Sequence, residues 1–281
     1  MNDLISIIVF GYSFCSITKC LESVLNQTYK NIEIILVCDE VPSDDIVSDE
    51  RITVVYCDDS SPSRMKEIGI KKSSGNYIGF VSGKDYIHPQ MYEKMLGSLL
   101  ENRADISMCS FADINFKEVV IKKHLIASKV HSNLEALECL LDNEAYVLSN
   151  NKLVRREIFN RVIFPDVLNF EDYFIAHELL FNANKISTVE EILYFSKIEK
   201  ERDNIQKIDL IDGLISRTEF FLDNGLACYS DRVFDQLYST LIPVRRYISS
   251  KNSNRVKEID RKLNRLYKNK RPNLPVKRRI C

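Results

Sequence analysis

Five short apolar runs constrain this chain more than anything else in it: Leu4 to Val9, Ile32 to Val37, Ile52 to Tyr56, Tyr77 to Val81 and Ala104 to Phe111. Each is nearly continuous and rich in β-branched or aromatic residues, the pattern of a strand buried on both faces. Between them the rhythm changes to helical, with Ile17, Leu21, Val24 and Leu25 on one stripe and further helices over Arg64 to Lys72 and Met91 to Leu100. Strands alternating with helices imply a mainly parallel sheet covered by helices. A chain of 281 residues has room for one such domain and an appendage.

The run at Tyr77 to Val81 lies in Gly75-Asn-Tyr-Ile-Gly-Phe-Val-Ser-Gly-Lys-Asp-Tyr-Ile-His-Pro-Gln-Met-Tyr92, with Pro89 suited to the first turn of the next helix. Ser82 to His88 is then the loop at a strand's carboxyl end, where open α/β sheets bind ligands. Ser82, Lys84, Asp85 and His88 are site candidates on that ground, and a plain solvated loop is the competing reading.

At this point the sequence resembles the family-2-type glycosyltransferases of the GT-A fold, which typically read Phe-Val-Asp-Ser-Asp-Asp-Tyr-Ile here. The likeness extends over Ser6-Ile-Ile-Val9, Tyr12 and Cys20-Leu-Glu-Ser-Val-Leu-Asn-Gln-Thr-Tyr-Lys-Asn-Ile-Glu-Ile-Ile-Leu-Val37. It implies a GT-A, Rossmann-like fold with a mixed, mainly parallel sheet and helices on both faces over residues 1–200, followed by a helical extension over 201–281. In the family the first and third residues of Asp-x-Asp hold a divalent cation against the nucleotide-sugar diphosphate. Ser82 and Lys84 replace both, leaving Asp85 as the one remaining carboxylate. No metal cofactor is therefore expected: manganese or magnesium is doubtful, and Asp85 is the single candidate ligand.

The resemblance also assigns the nucleotide-sugar contacts. Tyr12 would stack on the base and Asp39 would accept a hydrogen bond from uracil, chemistry that a π-face and a carboxylate supply. Read alone, these would be a half-buried tyrosine and a helix-capping aspartate. Lys66, with Ser82, Lys84 and Asp85, would face the diphosphate. Other ligand-facing positions drift: Phe10 replaces a proline, Ser13 an asparagine, Glu40-Val41 a Gly-Ser pair, and Lys66-Glu67 an Arg-Asn pair.

Asn151-Lys152-Leu153 and Arg155-Arg156-Glu157-Ile158-Phe159 resemble a family segment leading to Phe164-Pro165 and Asn169-Phe170-Glu171-Asp172. The last matches the family's Phe-x-Glu-Asp, which implies Asp172 as the general base and Glu171 as its neighbour. The plain reading is two acidic residues at the positive end of a helix. After Val189 to Phe195, Lys197, Lys200 and Arg202 are the cations available near a diphosphate.

Eight cysteines, at 15, 20, 38, 57, 109, 139, 228 and 281, show no paired spacing, so neither a zinc site nor a disulfide framework is indicated. A cytoplasmic protein is expected, since the start lacks the form of a signal peptide and no run reaches membrane-spanning length. The net charge of -1 conceals a basic end, twelve Lys and Arg against Glu258 and Asp260 from Lys251 onward. The helix over Arg255 to Lys268 puts Val256, Ile259, Leu263 and Leu266 on one stripe. Such a helix suits peripheral contact with anionic lipid at the inner face of the membrane, or docking on the sheet domain. Nucleic acid is not expected, because no aromatic platform accompanies the charge.

Two functions follow. One is an inverting transferase that moves a sugar from a nucleotide diphosphate donor to a glycan, lipid-linked or glycoprotein acceptor of the cell surface. The other is an inactive binding or assembly subunit, working with other glycosyltransferases.

Overall fold

The computed structural model describes residues 3–11, 14–39, 48–59, 61–198, 207–249 and 253–270. The chain opens with β1 (Ile5–Gly11), in which Ile5, Ile7, Ile8 and Val9 have no exposed surface. Helix α1 (Phe14–Leu25) buries Ile17, Cys20, Leu21 and Val24, and β2 (Ile32–Cys38) pairs parallel to β1. β3 (Ile52–Tyr56) follows at the sheet's edge. Helix α2 (Pro62–Lys72) starts where the Ser61 side chain accepts the Arg64 N–H, with Pro62 at its first position. It runs so close to β1 that a Cβ on Gly69 would lie 2.4 Å from Ile8 Cγ2.

β4 (Tyr77–Ser82) lies parallel to β1 on its other side. The two-residue β5 (Tyr86–Ile87) precedes α3 (Met91–Asn102), and β6 (Ile106–Ile114) leads through a tight turn to β7 (Val120–His124). β8 (Val130–Ser132) runs into α4 (Asn133–Leu140), whose capping box joins Ser132 and Glu135. β9 (Lys152–Arg155), α5 (Asp172–Asn182) and β10 (Lys185–Lys197) complete this part.

Among the described residues the sheet has ten strands, in the order β3-β2-β1-β4-β9-β6-β10-β5, with β7 on β6 and β8 on β10. β9 is antiparallel to both β4 and β6, so β1, β2, β3, β4, β6 and β10 all point one way. Gly11, Cys38, Ser82, Ile114 and Lys197 therefore end on one edge of the sheet. The mixed, mainly parallel sheet is the GT-A arrangement anticipated from the sequence.

Several local readings need correction. β3 is an edge strand with Thr53, Val54 and Tyr56 exposed, not a strand covered on both faces. α3 begins at Met91 with Gln90 as its cap, so Pro89 lies outside it, its carbonyl accepting the Thr28 N–H at 2.8 Å. The strand expected from Ala104 starts at Ile106, because Arg103 turns left-handed (φ 51°) to end the helix.

The chain divides into two units, residues 1–201 and 202–281. In the second, α6 (Lys207–Asp223), α7 (Ala227–Ser249) and α8 (Ser253–Lys270) pack on one another. Gly225, at φ 73°, takes the left-handed turn after α6. Ile259, Leu263 and Leu266 of α8 are buried, and α8 contacts α6 and α7. These three positions of its apolar stripe are thus taken up inside the helical unit. Residues 271–281 and the side chain of Val256 lie outside the described residues. No described helix is long and apolar enough to cross a membrane.

Candidate active site

Two hydrogen-bonded clusters meet at the carboxyl edge of the sheet. The first is built on the loop after β4. Gly83 N–H donates to the Phe10 carbonyl at 2.7 Å, and Asp85 N–H closes the turn onto the Ser82 carbonyl at 2.9 Å. A Cβ on Gly83 would press on Ile17 at 3.2 Å, so the loop lies tightly over α1.

This turn sends Asp85 inward. Its Oδ2 accepts the Tyr194 hydroxyl at 2.5 Å and its Oδ1 accepts the Lys197 N–H at 2.7 Å. Tyr194 O–H in turn accepts from Asn150 Nδ2 at 3.1 Å and Ser82 N at 3.3 Å, which satisfies the hydroxyl completely. Burial pushes the Asp85 carboxyl up to about 6 against the opposing pull of Lys84 and of these hydrogen bonds. Asp85 is therefore a tether between the loop and β10. Ser82 and Lys84 are half-exposed, and the Lys84 ammonium makes no hydrogen bond or ion pair among the described residues.

These residues do not fit a divalent cation. The one carboxylate has both oxygens engaged inside the protein, and an ammonium stands beside it.

The second cluster surrounds the acidic pair. Phe170 takes a left-handed backbone (φ 57°), after which Glu171 and Asp172 open α5. Beneath them Lys66, reaching from α2 with no exposed surface, donates to Glu171 Oε1 at 2.7 Å, Asp172 Oδ1 at 3.1 Å and Ser149 Oγ at 2.9 Å. All three ammonium protons are used. The Phe10 and Phe80 rings lie 4.9 and 5.5 Å from the same nitrogen, giving the phenylalanine at the drifted position 10 a role as a cation–π wall.

Burial raises the Asp172 carboxyl, but Lys66, a hydrogen bond with Ser149 and the nearby Lys152 outweigh it and hold the group below its ordinary range. Lys66 itself is lowered by burial and raised more by Asp172 and Glu171, so it stays charged. Lys152, on central β9, has no exposed surface; its amine donates to the Leu148 and Ala145 carbonyls, and burial brings it down to about 7.

Ser149 and Asn150 join the clusters. The first binds Lys66 beside Asp172, the next binds Tyr194 beside Asp85. Ser63 on α2 donates to the Pro165 carbonyl at 2.5 Å, holding the approach to the acidic pair against the same helix.

The structure thus brings together Lys66, Glu171 and Asp172, and separately Ser82 and Asp85. Lys66 is committed to the acidic pair. Asp39 directly follows β2, with Oδ1 enclosed and without a hydrogen-bond partner among the described residues. Tyr12, Ser13, Glu40, Val41, Lys200 and Arg202 lie outside the described residues. Sequence reasoning missed Ser149, Asn150 and Tyr194, and gave Lys152 no part in the site. The Asn151-Lys152-Leu153 motif was the one signal near three of them.

Sheet order, the loop after β4 and the acidic pair at the start of α5 together define a GT-A-type glycosyltransferase fold. A crystal structure of Staphylococcus aureus TarS residues 1–349 in complex with UDP-GlcNAc superposes with a TM-score of 0.72 at 17% identity, covering 94% of this chain and 81% of that one. The chain belongs to Glycosyl transferase family 2, whose model matches residues 5–163, and is a glycosyltransferase. Among curated relatives, glycosyltransferase GlyG of Streptococcus pneumoniae is 28% identical over 79% of this chain and 76% of its own length. The uncharacterized glycosyltransferase EpsJ of Bacillus subtilis is 32% identical over 69% of this chain and 61% of its own length.

Proposed function

We propose that the chain transfers a sugar from a UDP-sugar to a hydroxyl of a cell-surface glycan, lipid-linked or glycoprotein acceptor, with inversion and without a bound metal. The observation that carries this is the state of Asp172: ionised, 15% exposed at its side chain, and oriented by a buried lysine. Such a carboxylate can take the acceptor hydroxyl proton as that oxygen attacks the anomeric carbon. The bond to the diphosphate then breaks and UDP departs with the electron pair. Ser82 and Lys84, on the same edge of the sheet, would meet the departing diphosphate, and an imide N–H would supply the partner that Asp39 Oδ1, enclosed, lacks among the described residues. The UDP and UDP-GlcNAc complexes of TarS support a uridine donor.

The test is a thermal-shift titration with UDP, with and without manganese, followed by NMR of the anomeric product from a UDP-sugar panel. Stabilisation by UDP alone and a product of inverted configuration are expected. Absence of any UDP effect at millimolar concentration would overturn the donor assignment, and a retained configuration would overturn the single displacement.

A further inference from the structure

The turn from β6 to β7 and the strand after it carry a patch that the transfer reaction does not use. Residues 116–123 are all exposed, including Phe116 (67%), Val119 (58%) and Ile121 (58%), and Leu125 (57%) continues the patch. Large apolar side chains grouped in this way mark an interaction surface.

The turn holds them outward firmly. Asn115 Oδ1 accepts the N–H groups of Lys117 (2.9 Å) and Val119 (3.1 Å), and Glu118 sits at φ 60°. Glu118 pairs with Lys19 of α1, whose ammonium lies 4.2 Å from the centroid of the Tyr86 ring, two residues from Lys84. Because β6 ends on the same edge as β1, β2 and β4, the patch borders the candidate active site.

Its charge is positive. Lys117, Lys122, Lys123 and Lys129 stand among the apolar residues; Lys122 pairs with Glu144, while Lys117 and Lys123 make no ion pair among the described residues. Among the described residues β7 pairs with β6 alone, which leaves its other edge without a strand partner there. A second copy paired along that edge would bring lysines close to lysines in the Val-Ile-Lys-Lys-His strand, an unfavourable register. Apolar groups interleaved with unpaired ammonium groups instead match an anionic bilayer, with hydrocarbon below the headgroups and lysines at the phosphates.

We propose that Phe116, Val119, Ile121 and Leu125, with Lys117 and Lys123, dock the protein on an anionic membrane and set the sheet's carboxyl edge near the lipid surface. This docking stands independently of the chemistry assigned to Asp172. It places a lipid contact on the sheet unit, whereas the sequence suggested one at α8, where Ile259, Leu263 and Leu266 are buried.

The experiment is co-sedimentation of the full chain with vesicles of phosphatidylcholine alone or mixed with phosphatidylglycerol. Two variants are compared, Phe116→Ser/Ile121→Ser and Lys117→Gln/Lys123→Gln, each first shown to melt as the unaltered protein does. Binding only to the mixed vesicles is expected, with a loss of about tenfold or more in each variant. Unchanged partition in both variants would overturn the proposal and place any lipid contact elsewhere. Failure of the unaltered protein to bind the mixed vesicles would also overturn it. So would a dimer by light scattering that Phe116→Ser/Ile121→Ser dissociates, which would show a second copy covering the patch.

Discussion

The Asp172 carboxylate lies 3.1 Å from the ammonium of Lys66, a side chain 106 residues away in sequence and wholly enclosed. That pairing fixes both the charge and the direction of the proposed base. It also gives Lys66 its partners in the acidic pair, where the sequence assigned it to the diphosphate.

Replacing Asp172 by Asn removes the proton acceptor while Glu171 still pairs with Lys66. Transfer is expected to fall by roughly 10²- to 10⁴-fold with UDP binding nearly unchanged. Transfer at the unaltered rate would show that another group takes the proton.

Replacing Lys66 by Met leaves two partly buried carboxylates without their cation, at an expected cost of about 3–5 kcal/mol in stability. In the unaltered protein the folded Asp172 is held below its unfolded value, so its contribution is complete above the ordinary carboxylate range and is lost as pH falls through the folded value. The acidic limb of the pH–rate profile should therefore lie below that range and move upward in Lys66→Met. An unmoved limb in a folded variant would remove Lys66 from any influence on the base.

How much of this was readable in the sequence follows from distance along the chain. β1, β2 and β4 announce themselves because strands covered on both faces need continuous apolar residues. β9 does not, being four residues, Lys-Leu-Val-Arg, with charges at both ends. Its burial depends on β4 and β6 flanking it, which no local pattern states. Glu171 and Asp172 were legible as a motif. Their pairing with Lys66 was not, since it joins a side chain on α2 to residues 105 and 106 positions further along, at the start of α5. Tyr194 read as an apolar strand residue, and only the fold reveals its hydroxyl as the joint between Asp85, Asn150 and Ser82.

At the loop itself, Lys84 is the one ammonium positioned where the family's second aspartate would be. At about 4 Å and an effective dielectric of about 20, one charge is worth roughly 4 kcal/mol to a phosphate, and solvent screening at a half-exposed group reduces this. Transfer should survive EDTA and fall about tenfold to a hundredfold in Lys84→Ala. The double variant Ser82→Asp/Lys84→Asp is expected to gain dependence on manganese. Manganese-dependent transfer by the unaltered protein would sink the idea that the ammonium replaces a cation.

Asp85 gives the loop a pH dependence of its own. Its folded value is raised to about 6 from an ordinary 3.8, so between those limits the folded protein holds a proton that the unfolded chain has released. Stability must then fall as pH rises through this window, by roughly 3 kcal/mol for a two-unit shift of a buried group. Asp85→Asn carries no such charge, although its amide cannot accept from both Tyr194 and the Lys197 N–H, and at acid pH it should be the less stable protein. Raising the pH from 4 to 7 should shift the difference in the variant's favour by about the same 3 kcal/mol, measured by urea unfolding at each pH. A difference that stays constant across that range would mean that Asp85 is ionised throughout in the folded protein, held by Tyr194 and Lys197 more strongly than burial opposes it.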